Sequence, residues 1–187
     1  RCALRRRDQA CTSHRASART ARAAGRMVAH RRRSRALDRA AEGKVHPGAD
    51  DNASGTAVLL ELARRLAKLP VKPDRTIVFA AFSGEELGLY GSRHYIESSN
   101  SPSAIKAMIN LDMVGRLREN RLTVFGARSG ENLSDLVTKN ARALGLDITD
   151  SNDVGRSDHM SFYSKKIPVL HFFTGTHGDY HRATDTW

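Results

Sequence analysis

A chain of 187 residues with 31 Lys and Arg against 20 Asp and Glu carries a formal charge of +11, which taken as a whole would suit a polyanionic partner. The excess is confined to residues 1–44, where 13 Arg and Lys44 face Asp8, Asp38 and Glu42; residues 45–187 hold 17 basic and 17 acidic side chains, so no nucleic-acid partner is expected for the foldable part. Both cysteines, Cys2 and Cys11, lie in the opening stretch, which leaves the rest without a disulfide framework or thiol nucleophile, and the longest apolar run, Ile77 to Phe82, is far below the roughly 20 residues of a membrane-spanning helix.

Residues 1–44 contain few aliphatic side chains and Arg almost without Lys. Such a stretch cannot bury enough surface to offset its ordering entropy and is expected to be largely disordered. A basic arm, an organellar transit-like peptide and out-of-frame translation of GC-rich DNA all yield this composition. An arm would normally bring lysines, stacking aromatics or a binding module, and none is present.

From residue 45 the pattern becomes orderly and reads as one domain over 45–187. NASGTAVLLELARRLAKLP places Val58, Leu62, Leu66 and Leu69 at helical spacing, widened by Leu59 and stopped by Pro70. RTIVFAAF, residues 75–82, is continuously apolar and predicts a strand buried on both faces. ELGLYGSRHYIES predicts a helix, AIKAMINLDMVG a buried strand ending at Asp112, and RLTVFG a further strand. GENLSDLVTKNARALG predicts a helix closed by Gly145, SDHMSFYSK a short helix from Ser157, and KIPVLHFFTG a last buried strand. The alternation predicts an α/β fold: a mixed, mostly parallel sheet with helices on both faces.

In open α/β sheets, functional residues gather beyond the carboxyl ends of strands. Those places hold Glu85 and Glu86, Asp112, and the run THGDYHRATDT; HPGADDNASG, leading into the first helix, adds Asp50 and Asp51. Carboxylates and imidazoles are the ligands of catalytic zinc, and three ligand carboxylates with one hydroxide balance two divalent cations. Without cations, converging acids would repel and some would take up protons. Each feature also has a structural reading: Asp50, Asp51 and Asn52 as helix caps, Glu85 and Glu86 as an acidic first helical turn, Asp112 as a strand-end turn residue, His181 as a donor to a backbone carbonyl. His46, His94, His171 and His177 are left in that structural class. The joint occurrence of Asp, Glu-Glu, Asp and His at sheet-end loops favours the metal.

GADDNASGTAVLLELAR, RTIVFAAFSGEELGLYGSRHY, INLDMVGR and SDHMSFYSKKIPVLHFFTGTHGDYHRATDT together resemble the zinc-dependent aminopeptidase family that includes secreted bacterial leucine aminopeptidases and, more distantly, glutamate carboxypeptidases. The resemblance covers residues 45–187. It implies two zinc ions, peptide substrates, Asp51 as the carboxylate bridging both ions, Glu86 and His181 as further ligands of one, Asp112 as ligand of the other, and Glu85 as general base. Asp158 and His159 fall in a loop lining the pocket and carry no chemical step. The upstream histidine of the family's HxD motif has His30 as its candidate, with Arg32 where the supporting aspartate should stand. Three arginines beside a dication are electrostatically unfavourable. With that break, and an end at Trp187 where the family has a further helix, the fold is expected to be incomplete at both ends. A glutaminyl-cyclase-like acyltransferase with one zinc, or an inactive fragment, is the alternative. No G-x-S-x-G elbow or Gly-rich phosphate loop is present.

Overall fold

The last apolar run of the sequence organises the fold. In the computed structural model, which describes residues 44–151 and 153–187, that run forms a strand with neighbours on both sides. In chain order the strands are β1 (Met108–Leu111), β2 (Arg121–Phe125), β3 (Asp147–Asp150) and β4 (Val169–Phe173), and their order in the sheet is β1-β4-β2-β3. β1 is parallel to β4 and β3 to β2, whereas β2 and β4 are antiparallel. The sheet is therefore mixed and mostly parallel, as the alternation predicts. The helices are α1 (Gly55–Ala67), α2 (Tyr90–Glu97), α3 (Leu133–Ala143) and α4 (His159–Tyr163).

Successive side chains of a strand point to opposite faces, and β4 divides the core accordingly. Val169 belongs to a cluster with Ile96 of α2, Phe162 of α4 and Ile167; Leu170 belongs to another with Val124, Ala127 and Val137 of α3. Thus α2 and α4 cover one face and α3 the other. Each aliphatic side chain fully buried in this way contributes about 1.5–3 kcal/mol. α3 ends where Gly145 was expected to close it: the residue sits at φ +67, the left-handed conformation that glycine adopts without strain, and its N–H donates to the Arg142 carbonyl.

Three expectations are corrected. Residues 76–82 form no strand; the segment has no ladder partner among the described residues, and Ile77, Val78 and Phe79 are exposed. Strand propensity is expressed only where a neighbour accepts the backbone hydrogen bonds, and among the described residues β1 is paired with β4 alone. The stripe on α1 is likewise open: Val58, Leu62 and Leu69 are exposed, since among the described residues the helix packs on β1 and the turn before it. The second helix begins at Tyr90, not at Glu86, because Leu89 has a positive φ that stops the helix from extending backwards. β3 was not expected. The predicted disorder of 1–44 and the candidate His30 fall outside the described residues, Lys44 excepted. Among the described residues no helix is long and apolar enough to cross a membrane.

Candidate metal centre

Because β1 and β4 are parallel, the loops after Leu111 and Phe173 leave the same edge of the sheet. Two further loops join them. One is the irregular helical turn Ala49–Ser54 before α1, in which Asp51 and Asn52 depart from helical angles. The other is the tight turn Gly84–Leu89, where the Glu85 carbonyl accepts the N–H groups of Gly88 and Leu89. Gly91 lets α2 start directly against that turn: a Cβ there would lie 2.6 Å from the Ser83 carbonyl oxygen, and the Gly91 N–H donates to that same oxygen.

These loops enclose a cavity of ≈ 120 Å³ whose lining includes Asp51, Glu85, Glu86, Asp112, His171 and Tyr180. His181 Nε2 lies 3.2 Å from Asp51 Oδ2 and 3.1 Å from Glu86 Oε1, and one ligand atom from each of the three falls within 4.8 Å of the others. Asp112 reaches the same cavity with Oδ2 accepting from Ser157 Oγ at 2.7 Å. The structure therefore brings Asp51, Glu85, Glu86, Asp112 and His181 together. Among the described residues, Arg156 is the one guanidinium or ammonium in the lining.

The electrostatics carry the mark of that crowding. Burial pushes the Glu85 carboxyl up to about 8, with Asp112, Glu86, Asp158 and Asp51 adding to the shift. Burial also raises Asp112 against the lowering hydrogen bond from Ser157, and Glu86 and Asp50 raise it further. Tyr180 is driven to about 12 by burial and then by the charges of Asp51, Glu86, Glu85 and Asp112. A proton on Glu85 is what such a cavity takes up in place of a cation. Two carboxylates and an imidazole within reach of one point, with a third carboxylate beside them, form a donor set that suits a divalent cation such as zinc.

The structural alternatives for these residues fare differently. Asn52 does cap α1: Oδ1 accepts the Gly55 N–H at 3.0 Å and the Met113 N–H at 3.2 Å. Asp50 turns away from the cavity, where Oδ1 accepts the Gly115 N–H at 2.8 Å and Oδ2 lies in close contact, 3.2 Å, with His177 Nε2. Glu85 and Glu86 precede α2 rather than forming its first turn.

Several supporting residues escaped the sequence reading. His177 faces a buried carboxylate, not a backbone carbonyl, and His171 lines the cavity. Asp185, 1% exposed, accepts the N–H groups of Asp50 and Asp51 at 3.1–3.2 Å and is itself held by Arg116 at 3.3 Å. Arg116 also reaches Asp179. The doubled Asp at 50–51 and the Asp-Thr at 185–186 were the available signals; nothing in the spacing says that one serves the other. Asp158 acts on Glu85 through its charge, and His159 is fully buried beneath the cavity.

The model of peptidase family M28 matches residues 32–187, upstream of residue 45 where the motifs begin to show the resemblance. Aminopeptidase YwaD of Bacillus subtilis (strain 168) is 36% identical over 135 residues, covering 69% of this chain and 29% of YwaD. Leupeptin-inactivating enzyme 1 of Streptomyces exfoliatus is 35% identical over 135 residues, covering 68% of this chain and 29% of that protein. The chain thus spans 29% of the length of these curated relatives. Among solved structures, BSAP, a zinc aminopeptidase from Bacillus subtilis, is similar with a TM-score of 0.67 at 34% identity, over 75% of this chain and 37% of BSAP. A glutaminyl cyclase from an Acidobacteriales bacterium shares the fold, with a TM-score of 0.55 at 23% identity over 74% of this chain and 54% of that one. With every described residue inside the matched range, this chain belongs to peptidase family M28.

Proposed function

We propose that the cavity is the active centre of a zinc-dependent aminopeptidase, hydrolysing the amide bond behind the first residue of a peptide. The observation that carries this reading is the convergence of Asp51, Glu86 and His181 on one point with Glu85 and Asp112 in the same cavity. Zinc and aminopeptidase chemistry are what the matched relatives are named for. In this reading Asp51, Glu86 and His181 would hold one zinc ion, and Asp112, with Asp51, would hold a second. The described residues offer two donors to the second ion against three to the first, so the second is expected to bind more weakly.

When bound, zinc supplies Lewis-acid polarisation of the scissile carbonyl and makes water acidic enough to attack near neutral pH. Glu85 takes the proton of the attacking water and passes it to the leaving amine. Its raised pKa belongs to the cation-free cavity; beside dications the same carboxylate is a base at neutral pH. Tethering base and ligand at adjacent positions of the rigid Gly84–Leu89 turn keeps the proton acceptor within a few ångströms of the reacting water.

The test is zinc stoichiometry of the purified chain with turnover of aminoacyl anilides, before and after chelation. Zinc-dependent release of the first residue is expected; a chain that neither retains zinc nor releases a residue would overturn the reading. A single-zinc glutaminyl-cyclase-like reaction is the second reading, favoured by the fact that Asp51, Glu86 and His181 alone make a three-donor set while Asp112 is engaged by Ser157. A peptide with N-terminal Gln separates the two: cyclisation with loss of ammonia, in place of release of the residue, would support the second.

A further inference from the structure

Beneath the cavity runs a chain of hydrogen bonds whose direction can be followed atom by atom. Asp112, an acceptor when ionised, receives the Ser157 hydroxyl hydrogen at 2.7 Å. Ser157 has no second hydrogen, so at its contact with Asn110 Nδ2, 2.9 Å away, its oxygen accepts. The other amide hydrogen of Asn110 points to His171 Nδ1 at 2.9 Å, which must therefore carry a lone pair. His159 Nδ1 is further from the same nitrogen, at 3.5 Å, and its Nε2 donates to the Val154 carbonyl. His171 is thereby fixed as the neutral tautomer with its hydrogen on Nε2.

The ring is held as firmly as the tautomer. His171 is 5% exposed. It stacks on His159 with centroids 4.6 Å apart and planes 9° from parallel, and is flanked by Phe125 at 5.4 Å and Phe173 at 5.9 Å. It lines the cavity, and with Nδ1 engaged by Asn110 its remaining polar atom is the Nε2–H, to which no acceptor among the described residues is hydrogen-bonded. Burial, then the neighbouring His159, hold its pKa down to about 3, so at neutral pH the ring donates a hydrogen bond without carrying charge.

We propose that His171 contacts the substrate, its Nε2–H donating to the carbonyl oxygen of the scissile amide as that oxygen gains negative charge. This rests on the aminopeptidase reading above. In the step concerned, the water oxygen forms a bond to the carbonyl carbon, its proton goes to Glu85, and the carbonyl π pair moves onto the oxygen that His171 contacts; the imidazole hydrogen stays on nitrogen. A neutral, preoriented donor suits that task, because it neither repels dications nor is captured by the carboxylates around it as a guanidinium would be. Asn110 is then a positioning residue for His171, and through Ser157 it ties that donor to Asp112 on the opposite side of the network.

The test uses the full chain loaded with zinc. His171→Phe keeps a flat ring in the stack and removes the N–H; His171→Gln restores an N–H donor. The Phe variant is expected to lose roughly 10²-fold in kcat with KM and zinc content close to the unsubstituted chain, and the Gln variant to recover part of that loss. In the ring nitrogen NMR spectrum of the unsubstituted protein, His171 is expected to show a protonated Nε2 and an unprotonated Nδ1 from pH 8 to pH 5. A Phe variant with normal zinc and kcat within about threefold of the unsubstituted chain would overturn the proposal. So would a loss confined to KM, or a hydrogen found on Nδ1. If the Phe variant does not fold, the Gln variant and the spectrum decide. If the unsubstituted zinc-loaded chain releases no residue, the aminopeptidase reading fails and this inference falls with it, an outcome visible before any variant is made.

Discussion

The two faces of β4 meet opposite demands. Leu170 looks onto Val124, Ala127 and Val137, a wholly apolar cluster under α3. On the other face Val169 starts a similar cluster, but two residues further the strand presents His171 to Asn110, His159 and the carboxylate-lined cavity. The first face is held by area removed from water, which is nondirectional and tolerates any side chain of fitting volume. The second consists of donors and acceptors that leave a buried group unmatched when one is removed. One face supplies stability and the other supplies geometry.

Substitutions should separate these demands. The largest effect is expected at Glu85: Glu85→Gln should reduce kcat by roughly 10²-fold or more while circular dichroism and zinc content stay near those of the unsubstituted chain. Normal turnover would remove Glu85 from the chemistry. Ser157→Ala, on the polar face, should weaken the proposed second zinc by about 10–100-fold in a chelator competition, because the carboxylate of Asp112 loses the hydroxyl that orients it. Leu170→Ala, on the apolar face, should lower unfolding free energy by about 2–5 kcal/mol yet leave kcat per folded molecule unchanged. If Leu170→Ala changed zinc affinity and Ser157→Ala did not, the division between the faces would be wrong.

A further effect concerns pH in the zinc-free chain. With the Glu85 carboxyl raised by burial from its ordinary value of 4.5 to about 8 in the fold, folded and unfolded chains both hold the proton below about pH 4.5; above that the unfolded chain releases it first, so stability falls as pH rises toward 8. Glu85→Gln lacks this loss. Denaturant midpoints of the two chains should diverge between pH 4.5 and 8 and then run parallel, and zinc should abolish the divergence. A constant gap across that window would contradict the burial assigned to Glu85.

The elements that could be read from sequence were those whose pattern is local. α3 announces itself by apolar spacing and Gly145, and β1 and β4 by short apolar runs. The run at 76–82 has the same composition but no ladder partner among the described residues, so composition alone misled. β3, DITD, offers one large apolar residue, Ile148, and draws its register from β2 rather than from itself. The site divides similarly. Asp51, Glu85, Glu86, Asp112 and His181 stand where chain reversals at the sheet edge collect functional groups, and the structure places them in or beside one cavity. His171, His177, Asn110 and Asp185 were not legible, because each owes its role to a partner at least 45 residues away or to the packing of two strands. Such pairings exist only in three dimensions.

The carboxylate of Asp185 grips the amides of residues 50 and 51 across 135 positions of chain. A ribosome delivers those amides well before their clamp, so during translation the sheet and its helices can assemble while the rim of the cavity still lacks its fastening. Whatever chemistry the cavity performs is therefore withheld from the growing polypeptide until residue 185 has emerged to close the rim.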